Sequence, residues 1–298
     1  MFHPHRIARL LVYLALSGAA ASLGAETKDT SLAGASTLSW HKDYGKAQTA
    51  AERQHKMLLI YFRAADASAA CKKFDAESLV APAVVEKLKR FVLVQVPTDA
   101  KIEIDGRPET LLAHPAFAEM LGRPGVAIVD YAHPKASYFR YVVSVFPLSS
   151  DRHPTAEQMT VILDLPPGTL TQRTLIYAVR THPDRPASTQ GTFDPTLAAE
   201  AESHSEYQAR IRLQGHHFWE RRFHRINACL PRGLMAREVC AESWPGQGLL
   251  ESAVECVRCW RLSSGHWEGV AGSHRLYGYD MRRGANGVWY ATGIFSGI

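Results

Sequence analysis

Cys256, Cys259, Trp260, His266 and Trp267 put two thiols, two indoles and an imidazole within a dozen residues, Cys256 to Trp267. A thiol can bridge, ligate or attack, and an imidazole can move a proton or bind a metal near neutral pH. Such groups act only if the backbone holds them still. Leu249, Leu250, Ala253, Val254, Val257 and Trp260 recur at helical spacing, which predicts a helix with one buried face. Ser263, Ser264 and Gly265 are expected to stop that helix, since serine and glycine favour turns over helix interiors. His266 would then be presented from the end of a packed helix, a rigid mount.

The chain has 298 residues, 46% of them hydrophobic, which permits two domains with real cores. Residues 1–25 have the pattern of an export signal: Arg6 and Arg9, an apolar run from Leu10 to Leu16, and a small-residue cleavage site at Leu23-Gly24-Ala25. The apolar run is too short for a comfortable membrane span, and no long hydrophobic segment follows it. The expected location is therefore secreted or periplasmic, with no membrane span after signal removal. Removing the signal takes away two arginines and no acids, so a net charge of +5 becomes +3. That is too mild to argue for nucleic acid. Residues 26–38 are small and polar and predict a disordered lead-in.

From Trp40 to Leu165 strand and helix patterns alternate. Met57 to Phe62 and Phe91 to Val96 are apolar runs suited to strands buried on both faces. Further strands are expected over Val126 to Val129 and Tyr138 to Val145, with helices from Cys71, over Val84 to Lys89, Pro115 to Leu121 and Ala156 to Leu165. Pro166-Pro167-Gly168 marks a boundary. Leu170 to Val179 predicts a helix. Asp194-Pro195 should cap and start another, running to about Leu213 with Gly215 at its C-terminal cap.

Two resemblances follow from these residues. Residues 39–165 resemble a thioredoxin-like domain, with Cys71-Lys72-Lys73-Phe74 in the place of the redox helix and Pro124 just before a strand, where that fold has a cis proline. The usual Cys-x-x-Cys is Ser68-Ala69-Ala70-Cys71 here, which lacks the outer cysteine needed for exchange. The resemblance therefore implies a redox-inactive scaffold. Residues 169–298 resemble the CAP superfamily. Trp260-Arg261-Leu262-Ser263-Ser264-Gly265-His266 is similar to its Trp-x-x-Ser-Pro-Gly-His signature, and Glu238-Val239-Cys240-Ala241 to its Glu-Asn-Ile-Ala. Gly215-His216-His217, Tyr277-Gly278-Tyr279-Asp280 and a closing strand over Gly287 to Thr292 fall in the same order. Together they imply an α/β chain: a thioredoxin-like domain followed by an α-β-α sandwich CAP domain.

The CAP resemblance implies a pocket of two histidines and one or two acids, which falls on His216 or His217, on Glu238 or Glu242, and on His266. His217, Glu238 and His266 are the expected metal ligands, since two imidazoles and a carboxylate can hold a divalent ion such as zinc with a position left open. Alternative readings stand beside this: caps of the preceding helix for His216 and His217, surface charges for the two glutamates, and a satisfied turn histidine for His266. Five cysteines in an exported chain predict disulfides plus one leftover. Cys71 is the natural free thiol, and Cys229, Cys240, Cys256 and Cys259 allow three pairings, though Cys256 and Cys259 lie on adjacent turns. The expected function is an exported binding or structural module for a small molecule, lipid or protein. The alternatives are a metal-assisted hydrolase using the pocket and a thiol-disulfide protein acting through Cys71.

Overall fold

The computed structural model describes residues 38–64, 68–104, 107–149 and 152–297. The signal and all but Leu38 of the lead-in lie outside the described residues. The chain divides into two compact units, one of residues up to 141 with 147–156, the other of residues 142–146 with 157 onward.

In the first unit the apolar runs become strands. These are β1 (Trp40–His41), β2 (Leu58–Arg63), β3 (Val92–Pro97) and β6 (Gly125–Val129), with a hairpin of β4 (Lys101–Ile104) and β5 (Arg107–Thr110). The sheet order of the first-unit strands is β1-β3-β2-β6, while β7 (Val142–Pro147) belongs mostly to the second unit. Strand β2 pairs parallel with β3 and antiparallel with β6. Leu58 to Phe62 are buried because β2 is central, which is what an unbroken apolar run requires. Helices α1 (Tyr44–Gln54), α2 (Ala69–Lys73) and α3 (Pro82–Leu88) belong to this unit, and the helix expected from Pro115 is a short, kinked 3-10 segment, Pro115–Met120. Ser68 caps α2 by accepting the Cys71 N–H, and the Cys71 side chain is fully buried. The peptide before Pro124 is trans, not the cis form expected, and no cis bond occurs among the described residues.

In the second unit, α4 (Ala156–Leu163) and α5 (Leu170–Arg180) lead into β8 (Thr192–Phe193), α6 (Pro195–Ile211), α7 (Trp219–Cys229) and β9 (Met235–Glu242). Then come α8 (Leu249–Arg261), α9 (Ser264–Ala271), β10 (Leu276–Arg283) and β11 (Trp289–Gly297). The sheet order is β8-β10-β11-β9, so β9 is an edge strand, paired antiparallel with β11. Alternation along the strands sends side chains to two layers. Ile294 and Ala236 pack with Leu197 and Ala201 of α6 and Ile226 of α7. Tyr279, on the other face, meets Trp260 of α8 and Phe295. Helices thus cover both faces, an α/β arrangement.

Two helix ends differ from expectation. Asp194 caps α6 as expected, accepting the Leu197 N–H, but the helix ends at Ile211 with Arg212 in the left-handed conformation. Gly215 lies beyond the cap. Ser264 and Gly265 open α9 instead of closing α8, because serine and glycine are as much at home before a first helical turn as after a last one. His266 therefore belongs to the first turn of α9.

Candidate functional site

Glu238 is the centre of the site. Residues 235–242 form a strand, so Glu238 and Cys240 share the face covered by α6 and α7 while Val239 points away. The Glu238 side chain is 1% exposed, and a buried carboxylate needs partners. It has them on both oxygens. Oε1 lies 3.0 Å from His216 Nδ1 and 3.8 Å from His204 Nε2, and Oε2 pairs with the Arg222 guanidinium. Burial alone would push this carboxyl up, but the bonds from His216 and Arg222 outweigh it and hold it below its ordinary value.

His216 continues the chain outward. Its Nε2 faces His266 Nε2 at 3.1 Å, with the rings tilted and their centroids 5.4 Å apart. In the tautomer whose Nδ1–H donates to Glu238, His216 Nε2 is the acceptor for His266 Nε2–H. Burial first, then the neighbouring His216, lowers the His266 pKa and keeps that ring neutral. His216 is 42% exposed on its side chain, so the pair opens to solvent while Glu238 does not. His266 reaches this point from α9, and meets His216 beside the free edge strand β9, where groups from both layers can come together.

A further cluster lies inward. His204 on α6, Glu238 and Cys240 each offer a ligand atom, all within 4.8 Å of one another. All three are already engaged. His204 Nε2 is 2.9 Å from the Gly215 carbonyl, and Cys240 Sγ is 3.8 Å from His216 Nδ1. Burial, followed by the Glu238 charge, raises the Cys240 thiol well above its usual range, so it is protonated. Burial lowers His204 against the pull of Glu238.

No family model and no curated protein matches the chain. Among solved structures, an outer surface protein from Borrelia burgdorferi is similar at 19% identity over 36% of this chain and 77% of its own, with a TM-score of 0.29. A likeness that low carries no argument.

Of the residues expected from sequence, His216, Glu238 and His266 converge. His217 does not: its Nε2 lies 3.2 Å from the Leu213 carbonyl, and its ring packs beside Tyr207. Only one of two adjacent histidines can face the strand, and it is His216. Glu242 is exposed at the end of β9, with its carbonyl taking a contact from Cys259 Sγ at 3.8 Å. All five cysteines are free, so the expected pairings are not formed. Cys240 on a strand facing α6 and Cys256 on the buried face of α8 belong to different layers, and Cys229 is exposed. His204, Arg222 and the ligand-like place of Cys240 fall outside the expected set. The available signal is Ala201, His204, Ser205 and Gln208 at helical spacing: a polar run on a face that must be buried marks a satisfied network.

Proposed function

We propose that the second unit is a binding module that holds a divalent cation, zinc being the natural choice for imidazole donors, on His216 and His266. The observation that carries this is the 3.1 Å approach of two Nε2 atoms with Glu238 behind one of them. Two donors bonded to one ion at about 2.1 Å stand about 3.1–3.4 Å apart for angles near the tetrahedral one. A carboxylate behind a ligating imidazole fixes its tautomer and strengthens it as a donor. Only His266 would need to shift its proton, from Nε2 to Nδ1. The buried trio of His204, Glu238 and Cys240 is the weaker candidate, since Arg222 already neutralises the carboxylate and the thiol is protonated.

The remaining coordination positions face solvent, which suits a module completed by a bound partner. They would equally suit a water for metal-assisted hydrolysis, the second reading. A four-stranded sheet covered by helices on both faces supports the CAP-like reading, and the order β1-β3-β2-β6 supports a thioredoxin-like first unit. The single, fully buried Cys71 supports the redox-inactive reading over thiol exchange. Export rests on residues 1–25. The test is a zinc competition titration of chelator-treated protein. One saturable site is expected, weakened at least about tenfold in His216→Ala and in His266→Ala and unchanged in His217→Ala. Equal affinity in all four proteins would overturn the assignment.

A further inference from the structure

A second feature lies on the far side of Arg222, in a cleft of about 280 Å³ between α6 and α7. Three guanidiniums line it: Arg221, Arg222 and Arg225. Arg225 is satisfied by a two-pronged bond to Glu200 at 2.9 and 2.5 Å. Arg222 gives one nitrogen to Glu238, but its Nε and Nη1 are buried with no partner among the described residues. Arg221 is exposed and has no ion pair among the described residues. Three cations therefore face two carboxylates, and a buried guanidinium keeps two donors unmet. Unmet buried donors are costly, so such a place is stable when an acceptor arrives.

Aromatic side chains line the cleft as well. The Tyr207 ring lies 5.5 Å from Phe218 and 5.6 Å from His217. Phe218 is 66% exposed, and it sits at φ 53°, a left-handed conformation that a bulky residue adopts only when its surroundings hold it there. An exposed, strained aromatic at the mouth of a cationic cleft is better explained by what it touches than by packing.

We propose that this cleft binds a small molecule with an oxyanion head, carboxylate or phosphate, on a flat apolar body. The head meets Arg221 and Arg222, and the body lies against Tyr207 and Phe218. Guanidinium groups match both heads, since each offers oxygens to paired N–H donors. The volume suits a molecule of about one ring with its head, at the small end of ligand sites. The cleft excludes a metal by charge, so its occupant differs from that of the His216–His266 pair, and neither reading depends on the other.

The test uses chelator-treated full-length protein and three probes: phenyl phosphate, benzoate and inorganic phosphate, titrated by calorimetry or ligand-observed NMR. One-to-one binding of phenyl phosphate or benzoate is expected, and the tighter of the two names the head. Arg221→Ala should weaken it about tenfold and Phe218→Ala at least about threefold, both side chains being exposed. His266→Ala should leave it unchanged. No saturable binding, binding indifferent to Arg221 and Phe218, inorganic phosphate binding as tightly, or loss in His266→Ala would each overturn the proposal.

Discussion

Glu238 serves two partners with opposite needs. Its Oε1 fixes the His216 ring, and its Oε2 neutralises Arg222, itself 8% exposed. Replacing it by glutamine separates the two. Glu238→Gln should lower zinc affinity about 10- to 100-fold, because a neutral amide orients His216 less firmly. It should also destabilise the fold by about 3–5 kcal/mol, because Arg222 is left buried and uncompensated. Adding Arg222→Leu should recover much of that stability and none of the zinc affinity. Denaturant titration and zinc competition on the three variants check this. Recovery of both together would mean that Glu238 acts only through folding. At this scale the sequence is partly legible: a histidine after a Ser-Gly pair and a glutamate before an apolar stretch name two of the residues that meet, His266 and Glu238. It cannot choose between His216 and His217, because that choice depends on where α6 ends. It cannot show Arg222, because an arginine beside Glu220, Arg221 and Arg225 looks like solvent-facing surface until the strand beside it is placed.

Elements hold these groups through close approaches that only small residues allow. A Cβ at Gly278 in β10 would lie 2.2 Å from the Ala198 nitrogen and 2.4 Å from the Leu197 carbonyl carbon. Those are backbone atoms of α6, so the helix would have to move as a body. Gly278→Ala should cost at least about 3 kcal/mol, at the top of the overpacking range, and should weaken zinc binding too, since His204 of α6 bonds the Gly215 carbonyl and so holds the segment that carries His216. Gly265 is the opposite case. It lies inside the first turn of α9 with nothing near its missing side chain. Gly265→Ala should stabilise by about 0.5–1 kcal/mol and leave zinc affinity intact, which melting curves would show. A loss of stability there would mean that α9 begins later than Gly265. These two glycines also mark what element-level reading of a sequence can reach. Central strands such as β2 and β3 are legible because burial on both faces forces an unbroken apolar run. The start of α9 is not, because its Ser-Gly pair suits either end of a helix. Helix α7 leaves little trace either, because only a narrow stripe of it, Arg222 and Ile226, is buried.

Across the second unit the titrating groups pull stability in opposite directions with pH. Asp280 is fully buried in β10, hydrogen-bonded by Thr171 Oγ1 at 2.6 Å and paired with Arg282. Burial dominates over Arg282 and Thr171 and pushes its carboxyl up to about 7. The folded chain therefore holds a proton that the unfolded chain releases near pH 4. Its stabilisation is complete below that pH and is lost as pH rises to about 7. The imidazoles of His182, His204, His266 and His274 are each lowered by burial. For them the unfolded chain binds more protons, so stability falls as pH drops below about 6.5. The two trends overlap and offset one another, which should give a shallow profile between pH 5 and 7. Asp280→Asn keeps an acceptor for Thr171 and deletes the carboxyl, leaving the histidine limb alone. The variant should then gain stability steadily from pH 5 to 7, and the difference between variant and parent should change by about 2 kcal/mol over those two units before levelling off. Denaturant titrations of both proteins at half-unit steps from pH 5 to 8 measure that difference. Parallel profiles would show that Asp280 is ionised throughout, with Arg282 rather than burial deciding its state.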